Sequence, residues 1–294
     1  MKFESDIKAL FFRNFFGYLV PSSSLNKAFL DYMRKDSKIQ SFKGQIALTC
    51  FNLDDLQLFN EQNYNNLLQE AKQISKFLTN CPGIVAFSIC NSIALKTCNK
   101  DSDIDFFIIC DPQLLFVARL GVMLYLKSKA LLPKVCPSFW ISTKALNLSA
   151  IRLKNDLYLE HWLNSLAFET SSKAILDDFN KLNSSKATLK SVYSLSKPWY
   201  LAVLKLLNPI LRYLQLSKAQ RTANKLKSLR ACSQDSPVVS STGALGICIE
   251  PNMLKFHMND IRLEFNPLCL REYDAFLQGN RVKTYQQYRQ VESK

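Results

Sequence analysis

The chain has 294 residues, long enough for one large domain or two modest ones. With 48% hydrophobic and 12% aromatic residues it excludes global disorder, and with only 7 glycines it argues against several glycine-rich phosphate loops. A net charge of +14 points to an anionic partner, whether nucleic acid, nucleotide or anionic lipid surface.

Nine cysteines, an odd number with no Cys-x-x-Cys pair, and only 2 histidines argue against a zinc cluster or a disulfide framework and suit a reducing cytoplasm. Cys90 and Cys110 fall inside apolar runs and read as small hydrophobes. The first twenty residues carry Glu4 and Asp6 ahead of their apolar part and lack a cleavage site, so they do not read as a signal peptide. Residues 114–126 and 200–216 are apolar but short and carry Arg119, Lys205 and Arg212, so no transmembrane span is expected, since a span needs about 20 apolar residues.

In chain order, helical spacing predicts helices over 5–19 and 24–36, then a longer amphipathic helix over 59–80 with a stripe of Tyr64, Leu67, Leu68, Ala71, Ile74 and Phe77. Pro82-Gly83 stops it. A strand follows at 84–89, a polar loop, and a second strand at 104–110 whose continuous apolar run predicts burial on both faces. Residues 113–130 return to helix, 135–142 read as a third strand and 157–168 as a helix. Composition then shifts. From Phe179 to Gln234 there is no acid, yet there are eleven cations, Lys181, Lys186, Lys190, Lys197, Lys205, Arg212, Lys218, Arg221, Lys225, Lys227 and Arg230. Residues 235–245 read as a loop and 267–294 as a helical, then frayed, tail. The expected fold is α/β (α+β), a small mixed sheet flanked by helices over 1–175, followed by a basic, mainly helical domain over 176–294.

Asp103 and Asp105 open the second strand. Side chains on a strand alternate faces, so these two carboxylates point the same way, with Ile104 directed into the core between them. Mg²⁺ takes oxygen ligands, commonly one or two carboxylates with phosphates and water. Such an ion neutralises charge in phosphoryl-type transfer, where little covalent chemistry is asked of the protein. Asn91-Ser92 at the end of the preceding strand offers a hydroxyl and backbone N–H groups to a polyphosphate.

The stretch AFSICNSIALKTCNKDSDIDFFII is similar to the signature of the DNA polymerase β-like nucleotidyltransferase superfamily: a strand, Gly-Ser, a short helix, then Asp-x-Asp on the next strand. The match covers residues 59–110. VCPSFWIS, LYLEHW and MLKFHMNDIR resemble pieces of a narrower family, the bacterial and archaeal single-chain nucleotidyltransferases of undefined substrate. The resemblance implies a Mg²⁺-dependent nucleotidyltransferase that moves a nucleoside monophosphate from a triphosphate to a hydroxyl acceptor and releases pyrophosphate. Asp103 and Asp105 would hold the metal and carry catalysis. Asn91, Ser92 and Lys100 would bind nucleotide, and the basic 179–234 segment would meet RNA or another anionic acceptor.

Two departures stand out. The superfamily's Gly is Asn91, the residue next most tolerant of left-handed geometry. The third carboxylate, usual on a later strand, is missing: 135–142 offers Ser138 and Ser142, and the next acids are Asp156 and Glu160. That leaves an enzyme with a modified metal site, or a catalytically inactive nucleotide- or RNA-binding member of the same fold. Lys96, Lys100 and Arg119 read equally as phosphate contacts or as solvated surface, and His161 and His257 as packing histidines.

Overall fold

The computed structural model describes residues 3–195, 201–231, 247–256 and 260–292. Helix α1 (Glu4–Phe15) begins with Glu4 and Asp6 and ends with Arg13, charges that complement its dipole. It stops short of the predicted residue 19 because Gly17 takes φ +93° and turns the chain into strand β1 (Val20–Pro21). Helix α2 (Lys27–Lys35) is capped by the Asn26 side chain. Strands β2 (Ile39–Phe42) and β3 (Gln45–Leu48) complete a small antiparallel sheet in the order β1-β3-β2, which the sequence reading lacked. Asn14, fully buried, ties α1 to it: its amide donates to Tyr18 O at 2.9 Å and its carbonyl accepts from Leu48 N at 2.9 Å.

Helix α3 (Glu61–Leu78) is capped by Asn60, whose Oδ1 accepts from Asn63 N at 2.9 Å. Its stripe of Leu67, Ala71, Ile74 and Leu78 is buried, and Phe77 stacks on Tyr125 with centroids 3.8 Å apart. Gly83, at φ +90°, lets the chain reverse where any Cβ would lie 2.5 Å from Leu114 Cβ. Then come β4 (Ile84–Cys90), α4 (Asn91–Leu95), β5 (Ile104–Cys110), α5 (Leu115–Ser128) and β6 (Val135–Ser142).

The predicted helix at 157–168 ends earlier, as α6 (Leu157–Ser165), because Leu166 turns extended and β7 (Ala167–Thr170) follows. Helix α7 (Lys173–Asn183) leads to β8 (Thr188–Val192) and α8 (Leu201–Ala231). Asn208 of α8 caps α5 from outside, its Oδ1 accepting from Phe116 N at 3.0 Å, while Gln215 joins Arg119 Nη1 and Phe116 O, each at 2.8 Å. Strands β9 (Ile247–Glu250) and β10 (Met253–Phe256) precede α9 (Arg262–Leu277) and α10 (Tyr285–Glu292), so the predicted helical tail is two helices. The loop read at 235–245 lies outside the described residues.

The protein is therefore a mixed α/β structure. Its main sheet has seven strands in the order β8-β7-β4-β5-β6-β10-β9, mostly antiparallel, with parallel pairs β5–β6 and β7–β8. Strands from both sides of residue 175 pair in it. Strand β5 is buried along its whole length, as its apolar run predicts. Ile104, Phe106, Ile108 and Cys110 pack toward α3 and α5, while Phe107 and Ile109 pack toward α6 and α7. Aromatic contacts such as Phe11–Tyr273 at 5.0 Å and Phe15–Phe265 at 5.1 Å join α1 to α9 in a third core. Among the described residues no helix is long and apolar enough to cross a membrane.

Candidate metal and nucleotide site

Alternation along β5 sends Ile104, fully buried, to one face and leaves Asp103 and Asp105 on the other. Asp103 is exposed at the strand's mouth and Asp105 is buried. Neither makes a salt bridge among the described residues.

The third strand supplies the residue that the sequence reading missed. In the parallel pairing of β5 and β6, Asp105 lies opposite Cys136, and Phe107 lies opposite Phe139. Two residues on β5 thus span three on β6, so β6 holds one extra residue, at the Pro137-Ser138 step. Strict alternation from Phe139 would turn Cys136 to the opposite face. The bulge returns it to the face of Asp105. Ligand atoms of Asp103, Asp105 and Cys136 all lie within 4.8 Å of one another.

Burial first, and the neighbouring Asp103 charge second, push the Asp105 carboxyl up to about 7, against hydrogen bonds from Asn91 and Cys136. A buried acid beside a second acid and no paired cation is a place where a metal ion would relieve repulsion.

The turn at Asn91 adopts the left-handed conformation anticipated for the missing glycine, with φ +52°. Its amide group is held from two sides: Oδ1 accepts from Trp162 Nε1 at 2.9 Å, and the amide also bonds Asp105. Ser92 Oγ, one residue from the turn, is buried with no hydrogen-bond partner. Lys100 is exposed on the turn 99–102, outside this cluster.

Other candidates fall into structural roles. Asp156 caps α6, its Oδ1 accepting from Leu159 N at 3.0 Å, and pairs with Arg262 Nη1 at 2.8 Å while buried. Glu160 is exposed and lines a different cavity with Lys8 and His161. Neither replaces the third carboxylate. Arg119 lies over the Phe256 ring at 5.0 Å and bonds Gln215, so it is a packing residue. Lys96 is half-buried at the end of α4, where its carbonyl accepts from Arg13 Nη2 at 3.4 Å. His161 packs on Phe12 at 4.1 Å, and burial, then the Arg13 charge, lower its pKa to about 4. His257 lies outside the described residues.

A cavity of about 190 Å³ opens beside Asn91, bounded by Phe139, Tyr158, Trp162, Lys255 and Arg262. Its charged wall is internally satisfied: Asp260 Oδ2 accepts from Lys255 Nζ and Arg262 Nη2, each at 2.8 Å. Burial raises the Asp260 carboxyl, but Arg262 and Lys255 outweigh that and hold it at about 2. Asp260, in the 253–262 segment whose chemistry the sequence left open, thus neutralises Lys255 and Arg262 together with Asp156.

Among the described cations of 179–234, Lys181 is on α7, Lys190 on β8 and Lys205, Arg212, Lys218 and Arg221 on α8, and Lys190 Nζ pairs with Glu169 Oε1 at 2.6 Å. Lys197 and the side chains beyond Arg221 lie outside the described residues. Comparison with protein-family models, curated proteins and solved structures finds no match to this chain.

Proposed function

We propose that this protein is a divalent-cation-dependent nucleotidyltransferase that moves a nucleoside monophosphate from a triphosphate to a hydroxyl acceptor. The single observation carrying this reading is the convergence of Asp103 and Asp105 on one face at the end of β5, beside the left-handed Asn91-Ser92 turn. A surface Asp-x-Asp would not bury one member to 6% exposure. The resemblance of residues 59–110 to the polymerase β-like signature supports the same reading.

A divalent cation held there would supply charge neutralisation to the polyphosphate and its leaving pyrophosphate. Asp103 and Asp105 fit the ion because both are oxygen donors with no competing cation. Ser92 Oγ and the backbone at Asn91 bind phosphate oxygens, and Trp162 holds the Asn91 side chain in orientation. The acceptor oxygen bonds to the α-phosphorus, the bond from that phosphorus to the bridging oxygen breaks, pyrophosphate departs, and the hydroxyl proton passes to solvent. RNA or another anionic acceptor would meet the cations of 179–234. A cytoplasmic setting fits these substrates and the lack of disulfides among the described cysteines.

One observation favours a second reading, a non-catalytic nucleotide- or RNA-binding protein. The position across from Asp105 on β6 is Cys136, not an acid, so β6 offers no carboxylate there as base. Isothermal titration with each Mg²⁺-NTP, followed by incubation with α-labelled NTP and RNA, protein or small-molecule acceptors, separates the two. Label transfer abolished by Asp103→Ala supports the enzyme. Binding without transfer or pyrophosphate release supports the second reading, and no nucleotide binding sinks both.

A further inference from the structure

We propose that Asp103, Asp105 and Cys136 together form a three-ligand site for a thiophilic divalent cation of the zinc class, rather than a site selective for Mg²⁺. The site shares two residues with the proposed nucleotide site and so deepens that reading, but it does not need nucleotide to fill.

Three independent features of the chain converge on it. First, the β6 bulge is what turns the Cys136 sulfur to the carboxylate face, and Pro137, which has no N–H to give the ladder, sits at that irregularity. Bulges beside functional sites commonly re-aim one side chain, and here the re-aimed side chain is a metal donor. Second, two carboxylates share the space, one of them buried, with no salt bridge to either among the described residues. A buried carboxylate beside a second acid is costly unless a cation accompanies it. Third, the donor set is mixed. Carboxylate and water suit Mg²⁺, whereas a thiolate selects zinc-class ions, and two carboxylates plus one thiolate leave a fourth tetrahedral position open.

The dimensions agree. Ligand atoms around one tetrahedral zinc stand about 3.5 Å apart, so groups within 4.8 Å of one another close on an ion by side-chain shifts of about 1 Å. Cys136 now donates its thiol hydrogen to Asp105. On metal binding that proton goes to solvent, the sulfur becomes the third ligand, and Asp105 exchanges the thiol hydrogen bond for the ion.

The test uses the full chain and Co²⁺ as a visible stand-in for zinc. Expected is one equivalent of Co²⁺ bound with a thiolate-to-cobalt charge-transfer absorption, displaced by Zn²⁺ and untouched by excess Mg²⁺. Because other cysteines are present, the band must vanish in Cys136→Ser and weaken in Asp103→Asn. Zn²⁺ affinity should fall at least about 100-fold in Cys136→Ser, the upper end of what losing even a supporting residue costs. Cys136→Asp, with an all-oxygen set, should narrow the preference for Zn²⁺ over Mg²⁺. Absence of the band, its persistence in Cys136→Ser, or its displacement by Mg²⁺ overturns the proposal, and if Cys136→Ser fails to fold, an unchanged band in Asp103→Asn, at an exposed position, overturns it as well. Mg²⁺-NTP binding without the band removes this inference and leaves the nucleotide reading standing. The band without NTP binding does the reverse.

Discussion

Trp162 Nε1 donates to Asn91 Oδ1 at 2.9 Å, so a residue of α6 holds the turn that follows β4. Asn91 sits at φ +52°, where a Cβ carries strain that this bond and the one to Asp105 offset. Trp162→Phe keeps the ring and loses the donor. It should cost about 1 kcal/mol of stability by urea unfolding and weaken NTP affinity several-fold, since the amide it leaves behind is free to rotate. An affinity that is unchanged would show that Asn91 orientation does not matter to nucleotide.

Asp105 trades stability for a site. In the unfolded chain its carboxyl ionises near 3.8, in the folded protein near 7, so the folded state binds the extra proton between those values. Stability from this group is present below pH 3.8 and is lost as pH rises toward 7. Asp105→Asn should therefore be more stable than wild type at pH 8 by on the order of 2 kcal/mol, and equal to it near pH 4, in metal-free urea titrations. The same variant should bind no divalent cation.

His161 acts in the opposite sense. Unfolded, it takes a proton near 6.5; folded against Phe12 it does so only near 4. The unfolded state binds more protons between those values, so stability falls as pH drops through that window, by roughly 2 kcal/mol. His161→Phe should flatten the acid limb of the midpoint-versus-pH curve between 6.5 and 4. A limb of unchanged steepness would remove His161 as its cause.

Arg262 is buried with Asp260 and Asp156 on either side and donates to Ile151 O at 3.0 Å. Arg262→Met leaves the buried Asp156, which caps α6, without a cation and leaves Asp260 with Lys255 alone. We expect a loss of about 3–5 kcal/mol by guanidinium unfolding. Asp156→Asn, which keeps a cap acceptor, should cost clearly less.

Much of the core was legible in the sequence because its signals are local. Strand β5 falls at 104–110 as its run of seven residues from Ile104 to Cys110 predicts, and the carboxylates follow from alternation alone. Strand β8 was not, because Thr188–Val192 is exposed throughout and carries no alternation, and β1–β3 are two to four residues long. Cys136 was hidden for a different reason. Its side depends on a register shift between two strands thirty residues apart in the chain, and a period-two reading of 135–142 turns it to the wrong face.

The order of strands across the main sheet also constrains how the protein comes into being. The carboxylate-bearing centre, β4-β5-β6, is finished at its two borders by β7–β8 on one side and by β10–β9 on the other, and β10 is made more than a hundred residues after β6. A nascent chain that has emerged only as far as residue 175 exposes the β6 border, a row of unmatched amides that invites pairing with another chain. Productive folding must wait for the last quarter of the chain, and shortened products should clump rather than fold.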